Sequence, residues 1–599
     1  MSGLFKFIFD ERWFKWVIVF IFLFMLGTRG LNEPDEGRYT EIGREMAETG
    51  DWLVPRIWYV PHLEKPPLTY WVTGASIAVF GINEWAIRLP FALAGLSGVW
   101  AVYLLGVSLG GRRIGQWAAL ILSCSLLYFG VARMVMTDII LLQFVCWAIY
   151  FGWHSWRCLD DPAPAVIDEN EEDPDFTPEQ LARGRLARQS FLWQLAAWGM
   201  CAGGVLTKGP LVFVLVAFAL LPLLIRNRRL THKIAIIGFG ALPGLSLCAL
   251  LSLPWFLMLF ERIPEAAAYM TGNQAGHALN AAKHNRSGPI YFFLPILLFG
   301  FMPWTILLGW MWRQAHWRKL TTVQRDGWVM LSSWAGLTFV FFSLVSAKLP
   351  HYITPMMPAL ALLVALRWPD WKDVADVPHG VWQVVAASPF VVMLALAIVY
   401  RFVFNISDQS WIYWQAGIAG IGVAVVVVAG RDWEPLGNIR SATAVSVVNL
   451  LLLVTVLPLV ETRLRSNQSL REMGATLLDE YQPGDQIVVY NRIPQGLPTY
   501  AWPVINQTNR PWFVNLPQHR MPYYFPGNQE RLAAYTLPHI TNVADLAHTN
   551  RVLVIGYRNS FESVSRQLTN TQFRMISKSG FWELFASGPP TVLTRSQNE

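Results

Sequence analysis

The chain contains few charged residues for its length. Only 15% of its 599 residues are Asp, Glu, Lys or Arg, whereas a soluble globular protein carries roughly 25%. Hydrophobic residues make up 54% of the chain, and the mean hydropathy is +0.35. Many of them form runs of about 18–22 residues, the length that crosses roughly 30 Å of hydrocarbon as a helix. This pattern excludes a soluble globular protein and predicts an α-helical membrane protein with several spans.

Cysteines and nucleic-acid-binding motifs are also scarce. The net charge of +7 comes from basic residues in short loops between apolar runs, as the positive-inside rule requires. We therefore expect no nucleic-acid partner. Neither disulfides nor a cysteine metal site is predicted, because the five cysteines lie in or beside apolar runs without metal-ligand spacing, at positions 124, 146, 158, 201 and 248.

Hydropathy and run length predict about thirteen transmembrane helices. The first run is long and lacks a small-residue cleavage site, so it is predicted to be a retained helix and not a signal peptide. The stretch 67–81 is apolar but short, and it is predicted to be a re-entrant or interfacial segment. The predicted span cores are 14–30, 88–109, 114–131, 138–156, 191–206, 209–225, 234–259, 290–311, 328–345, 353–368, 381–402, 412–430 and 441–460.

The distribution of Lys and Arg predicts which loops face the cytoplasm. With a basic cytoplasmic N-terminus, every second loop is also rich in Lys or Arg. The long cytoplasmic loop 157–190 additionally holds the acidic run DENEEDPD, which is typical of a disordered insertion. An odd number of spans places the C-terminal region on the outer face. The predicted domains are therefore a transmembrane domain, 1–461, and an outer soluble domain, 462–599.

The C-terminal region has ordinary polarity, unlike the rest of the chain. Its short β-branched and aromatic runs predict strands, and one amphipathic run predicts a helix. We therefore expect a small soluble α/β domain. The predicted strands are 486–490, 551–557 and 581–587, and the predicted helix is 469–481.

Charged residues recur on the predicted outer face, at the ends of spans. Such groups are costly in a membrane unless they are paired or face a polar cavity, so they are candidates for function. Their mixture of acids and lysines is typical of a site where an anionic group meets a carboxylate. They are Asp35, Glu36, Glu64 and Lys65 in the first outer loop, 31–87, and Asp138, Lys208 and Lys348 in later turns.

Each of these residues also has a purely structural explanation, which for Glu64 and Lys65 is a turn made rigid by the prolines of EKPP. Asp35 and Glu36 are favourable at the positive end of a helix running through YTEIGREMAE. Asp138 is equally compatible with a helix cap beside Thr137. The two lysines in the later turns are compatible with side chains that extend to the interface. The recurrence of acids and lysines on one face favours the functional explanation.

The outer-loop motifs resemble a known family. PDEGRYTEIGREMAETGDWLVPR, HLEKPPLTYW, MTD, LTKGP, GPIYFFLPILLFGFMPW and AKLPHYITPMMP are similar to the bacterial aminoarabinose transferase (ArnT-like) family. That family is grouped with protein O-mannosyltransferases and other polyprenyl-phosphate-sugar-dependent glycosyltransferases of the GT-C fold. The resemblance covers roughly residues 10–370, and the first-loop motif with EKPPL is its most specific part.

The resemblance implies roles for individual residues. It implies that Asp35 is the first-loop catalytic aspartate and Asp138 the second acidic residue, with Glu36 or Asp138 orienting the acceptor and the sugar ring. It also implies that Glu64 and Lys65 line the cavity. The predicted ligands of the carrier phosphate are Lys208, Lys348 and Tyr352, together with His284 or Arg286, between which the loop 271–289 does not decide.

The resemblance further implies a GT-C membrane fold and a location in the bacterial inner membrane, with the active site and the C-terminal domain periplasmic. The expected donor is an undecaprenyl-phosphate-linked sugar, with 4-amino-4-deoxy-L-arabinose as the candidate sugar, and the expected acceptor is lipid A or another envelope glycan or protein. One carboxylate and in-line attack predict inversion at the anomeric carbon. No metal is required, because lysines can meet the phosphate charge, although Glu64 with a nearby histidine could bind one.

Two other functions fit the same residues. A protein O-glycosyltransferase would use the same donor chemistry with a Ser or Thr acceptor. A lipid-linked-sugar transporter would also combine many spans with intramembrane charges. However, the charges lie at one face rather than at the midplane, and the chain shows no repeated halves with broken helices.

Overall fold

A computed structural model gives the structure of the protein. It describes residues 11–160, 178–226, 230–279, 288–308, 320–367, 387, 469–514, 536–537, 543, 547, 550–560, 562, 564 and 573–588. The predicted spans 412–430 and 441–460, and 381–402 apart from position 387, lie outside the described residues. The chain forms two compact units. The first is Met1–Leu26, Leu89–Arg262 and Met270–Val456, and the second is Gly27–Arg88, Ile263–Tyr269 and Leu457–Glu599.

The described secondary-structure elements of the first unit are all helices. Four helices of the described residues are long and apolar enough to cross a membrane, at Glu84–Gly110, Thr137–Cys158, Gly240–Arg262 and Thr322–Leu344. They confirm four of the predicted spans as helices. The α-helices that lie in this unit or enter it are α1 (Glu11–Leu23), α4 (Glu84–Gly110), α5 (Arg112–Ser123), α6 (Leu126–Ala132), α7 (Thr137–Asp160), α8 (Pro178–Lys208), α9 (Leu211–Arg226), α10 (Leu230–Arg262), α11 (Ala266–Leu279), α12 (Phe293–Gly300), α13 (Thr322–Leu344) and α14 (Met357–Leu366).

Three of the predicted spans are not single uninterrupted α-helices in the described residues. The segment 114–131 consists of α5 and α6, which meet at an angle of 71°. The bend coincides with Ser123 and Ser125, whose hydroxyls donate to carbonyls four residues earlier, an interaction that often bends helices. Likewise 290–311 begins with a 3-10 turn and is interrupted at 301–304, and the prediction 353–368 begins inside a 3-10 segment, Pro350–Met356. Pro303 lies at the interruption of 290–311, and Pro350 and Pro355 lie in the 3-10 segment of the other span. Proline lacks the N–H that continues an α-helix, which accounts for both irregularities.

The first predicted span, 14–30, is also shorter than expected, because α1 ends at Leu23. The Arg133 guanidinium donates hydrogen bonds to the carbonyl oxygens of Ile21, Phe22 and Phe24, at 2.7–3.1 Å. The last carbonyls of a helix have no partner within it, and a cation is favourable at that end. Arg133 therefore fixes the end of α1.

The second unit contains the first-loop motif and the C-terminal α/β fold. The motif forms α2 (Asp35–Thr49), a two-stranded antiparallel ribbon of β1 (Arg56–Ile57) and β2 (Val60–Pro61), and α3 (Leu68–Phe80). The segment 67–81 is thus a helix, and it packs against α2. Its predicted re-entrant or interfacial placement stays a prediction.

The C-terminal strands and helix predicted from sequence are confirmed. The elements are α15 (Arg471–Glu480), β3 (Gln486–Tyr490), α16 (Leu497–Ala501), β4 (Trp512–Val514), β5 (Thr536–Leu537), β6 (Val552–Tyr557), β7 (Phe573–Ser579) and β8 (Trp582–Ser587). The sheet order is β5-β4-β3-β6-β8-β7, with β3 parallel to β4 and β6, and β8 antiparallel to β6 and β7. Val488, Val514, Val554 and Phe585 form part of its buried core.

Candidate active site

The first cluster of predicted site residues lies at the start of α2, in the second unit. Asp35 is the first residue of this helix, so the helix-start interpretation is confirmed, and its side chain is 33% exposed. A carboxylate at this position is stabilised by the positive end of the helix. The helix therefore presents Asp35 at the surface of the unit in a fixed position.

Arg38 lies one helical turn after Asp35. Its Nη1 is 3.9 Å from the Asp35 carboxylate and 3.6 Å from the Glu64 carboxylate. A guanidinium is planar and presents several donors in a rigid fork, so it can hold two carboxylates in a defined arrangement. Arg38 thus brings together two of the predicted site residues, one from each first-loop motif.

Glu36 points into the unit rather than to its surface. It is fully buried, and its carboxylate accepts hydrogen bonds from Arg29, from Arg88 and from the backbone N–H of Asn32, at 2.9–3.1 Å. Burial by itself raises the pKa of Glu36, but the two guanidinium groups outweigh it and lower the pKa to about 2. Glu36 therefore anchors the turn that carries Asp35.

The EKPP motif places Glu64 and Lys65 at half-buried positions. His62 Nε2 lies 3.7 Å from Glu64 Oε2. Burial lowers the pKa of His62 to about 4, although Glu64 alone would raise it, so the imidazole is neutral at pH 7. Its neutral ring and the Glu64 carboxylate are both potential metal ligands. Among the residues that the structure describes, no group of three or more His, Cys, Asp or Glu converges on one point.

The second cluster lies in the first unit. Asp138, in the first turn of α7, forms an ion pair with Lys208 at the end of α8, with 2.8 Å between Nζ and Oδ1. The other oxygen of Asp138 lies 3.7 Å from His351 Nε2. Lys208 also lies over the Tyr352 ring, 5.2 Å from its centroid, within the range of a cation–π contact. Three predicted site residues, Asp138, Lys208 and Tyr352, therefore meet. The Lys208 side chain at their centre is 15% exposed.

Lys348 does not join this group in the structure. It is buried, and its ammonium donates to the carbonyl oxygens of Ser343 and Val345, both at 2.7 Å. A lysine in this position satisfies carbonyls at the end of α13. The phosphate-binding role of Lys348 stays a prediction, as does the choice between His284 and Arg286, which lie outside the described residues.

Arg38 and His351 are polar residues of these clusters that were not predicted as site residues. Arg38 stands inside the PDEGR motif, but its partner Glu64 belongs to the separate EKPP motif, and the sequence does not show that the two motifs meet. His351 belongs to AKLPHY, and a lone interfacial histidine is usually structural. The signal for both was their place inside a motif already selected for other residues.

The chain as a whole shares its fold, the GT-C membrane fold, with solved structures of ArnT. The crystal structure of ArnT from Cupriavidus metallidurans bound to undecaprenyl phosphate superimposes with a TM-score of 0.74. The match covers 98% of this chain and 99% of that one, at 21% identity. At this identity the likeness shows the fold alone.

Sequence comparison identifies the family. A family model described as dolichyl-phosphate-mannose-protein mannosyltransferase matches residues 64–157. An undecaprenyl phosphate-alpha-4-amino-4-deoxy-L-arabinose arabinosyl transferase of Edwardsiella ictaluri is 33% identical over 358 residues, which are 59% of this chain and 58% of that protein. A transferase of the same description from Pseudomonas fluorescens is 30% identical over 436 residues, 70% of this chain and 68% of that protein. The chain therefore belongs to the family of these arabinosyl transferases, and the resemblance seen in its motifs is confirmed.

Proposed function

We propose that the chain is an inner-membrane glycosyltransferase that moves 4-amino-4-deoxy-L-arabinose from undecaprenyl phosphate to lipid A. The chain covers 58% and 68% of the length of two relatives, and both are described as undecaprenyl phosphate-aminoarabinose arabinosyl transferases. The observation that carries the proposal is the cluster in the first unit, where Asp138 holds the partly exposed Lys208 over Tyr352. This is a cation held in place to meet an anionic group.

The reaction breaks the bond between the sugar C1 and a phosphate oxygen of the carrier. Negative charge then grows on the phosphate, and we assign the stabilisation of this charge to Lys208. His351 lies beside Asp138, the aspartate that pairs with Lys208. A preorganised cation aimed at developing charge typically contributes about 2–4 kcal/mol. The electron pair of the broken bond stays on the carrier phosphate, which leaves without forming a glycosyl-enzyme.

The new bond forms between C1 and an oxygen of the acceptor. If the acceptor is a hydroxyl, Asp35 takes its proton, a step worth roughly 100- to 10,000-fold. If the acceptor is a phosphate anion, no base is needed, and Asp35 instead stabilises the positive charge on the sugar ring. Attack opposite the leaving phosphate gives inversion in both cases. In this proposal Glu36 supports the turn of Asp35 and does not contact substrate.

The proposal includes a membrane topology. Thirteen spans with a cytoplasmic N-terminus place 31–87 and 462–599 in the periplasm, with 1–461 as the transmembrane domain and 157–190 in the cytoplasm. The positive-inside distribution of Lys and Arg supports this orientation. The contact of the C-terminal helix α16 with α2 also supports it, because both then lie on one side of the membrane.

A protein acceptor is the second candidate. The match of residues 64–157 to the model of protein mannosyltransferases favours it, and the donor chemistry is the same. The two candidates differ only in the group that attacks C1.

Transfer by purified protein tests the proposal. Wild-type protein in detergent is incubated with undecaprenyl phosphate-aminoarabinose and either lipid A or a Ser/Thr peptide, and the products are weighed by mass spectrometry. We expect an aminopentose on lipid A, and an about 100-fold slower reaction for Lys208→Met. Lys15→Met, at the other predicted end of the spans, is the control and should react normally. Modification of the peptide alone would favour the second candidate, and no product on either acceptor would contradict the proposal.

A further inference from the structure

The C-terminal α/β fold contacts α2 and the turn before it through a short segment that runs from Gln495 to Tyr500. This segment and the helix lie in the same unit, and the contacts join residues more than 450 positions apart in sequence. They are hydrogen bonds from the Gln495 and Gly496 N–H groups to Glu33, at 3.1 and 2.8 Å, from Arg38 to Gln495 at 2.7 Å, from Thr499 to Glu41 at 2.9 Å, and from the Leu31 N–H to Tyr500 at 2.7 Å. A further contact lies at the other end of the helix, where the Gln507 N–H is 3.4 Å from the Glu48 carboxylate.

Two glycines allow the backbones to approach this closely. A Cβ built on Gly496 would lie 2.7 Å from the Cα of Gly37 and 2.6 Å from a carboxylate oxygen of Glu33. Side chains essentially never make contacts this short, so neither backbone could carry a larger residue without moving. The close approach places Gln495 directly beside Arg38.

Gln495 fixes the orientation of the Arg38 guanidinium. Its Oε1 accepts the hydrogen bond of Arg38 Nε, while the opposite edge of the guanidinium, at Nη1, faces Asp35 and Glu64. Because the guanidinium is planar and rigid, a partner at Nε determines where the remaining donors point. Gln495 itself is buried, with 8% of its surface exposed, and is therefore held in place by its own surroundings.

We propose that Gln495 is a positioning residue of the first-loop site, which acts through Arg38 to hold the carboxylates of Asp35 and Glu64. The inference rests on the proposed function, because it assumes that Asp35 meets the substrate. It gives the C-terminal fold a part in the reaction through a residue that acts on Arg38 and not on the substrate itself. A displacement of about 1 Å at a catalytic group can cost on the order of 100-fold in rate.

The test compares substitutions at two positions of the same segment. Gln495→Leu removes the oxygen that accepts the hydrogen bond of Arg38, whereas Gln495→Glu keeps an acceptor oxygen on a side chain of the same length. Thr499→Val is the matched control, because it removes a buried hydrogen bond of the same interface but leaves Arg38 untouched. We expect kcat to fall about 10- to 100-fold for Gln495→Leu with KM for the donor nearly unchanged. Gln495→Glu should restore most of kcat, and Thr499→Val should retain it.

A double-mutant cycle distinguishes positioning from general loss of stability. If Gln495 acts through Arg38, adding Gln495→Leu to Arg38→Gln should lower kcat no further, because the interaction is already lost. Multiplicative effects of the two substitutions, or equal losses for Gln495→Leu and Thr499→Val, would overturn the proposal.

A second measurement does not depend on activity. Phenylglyoxal modifies accessible guanidinium groups, and peptide mass spectrometry reads the extent at Arg38. Modification of Arg38 should be several-fold faster in Gln495→Leu than in wild type or Thr499→Val. Equal rates in all three would refute the positioning role. A wild-type protein that transfers no sugar would contradict the proposed function while this labelling result still decides the role of Gln495.

Discussion

The buried Glu36 gives the sharpest prediction for stability. Glu36→Gln keeps the shape of the side chain but leaves Arg29 and Arg88 without their shared negative charge. The pKa of Glu36 is lowered from 4.5 to about 2 in the folded protein, and this difference corresponds to roughly 3 kcal/mol at neutral pH. Loss of one partner from a buried ion pair costs about 3–5 kcal/mol, so the two estimates agree.

The assay is thermal unfolding of the purified protein in detergent, followed across pH. Because the folded pKa lies below that of the unfolded chain, the contribution of Glu36 is complete above about pH 4.5 and is lost as the pH falls toward 2. We expect Glu36→Gln to lower Tm by several degrees at pH 7 and to remove this part of the acid dependence. The exposed Glu265 of the same unit provides a control, and Glu265→Gln should leave Tm nearly unchanged. An unchanged Tm for Glu36→Gln at pH 7 would refute the assignment of Glu36 as an anchor.

Two further substitutions test other parts of the structure. Burial, with the neighbouring Glu41 adding to it, raises the pKa of Glu45 well above 4.5, so its stabilising effect is present at low pH and declines as the pH rises toward the folded pKa. Glu45→Gln can accept from the Tyr59 N–H as Glu45 does, and it should raise Tm at pH 8 relative to wild type; a lower Tm there would contradict the raised pKa. Arg133→Met removes the donors at the end of α1 and should cost about 1–3 kcal/mol, measured by thermal unfolding, whereas a change below about 0.5 kcal/mol would show that water replaces the guanidinium.

Local features of the fold were predictable from the sequence. The start of α2 at Asp35 follows from an acid pair before a polar helical run, and the strands at 486–490 and 581–587 follow from short β-branched and aromatic runs. These patterns depend on neighbours within a few positions. The break between α5 and α6 was missed because serines inside an apolar run hardly change its hydropathy.

The contacts that define the candidate site were not predictable in the same way. The sequence shows Glu36 beside Asp35 but not that it is buried, because its ion pair is made with Arg88, 52 positions later. The partner of Arg38 in the C-terminal fold is 457 positions away. The pairing of Asp138 with Lys208 was suggested only by their shared membrane face, because composition does not reveal which charges meet.

Mass spectrometry of lipid A tests most directly whether the chain places an aminopentose on lipid A. A strain that lacks the gene should lose the aminopentose-modified form, and the wild-type gene should restore it. The gene for Asp35→Asn should not restore it, although its product should reach the membrane in normal amounts. Unchanged lipid A in the deletion strain, under conditions where the wild type is modified, would contradict the account.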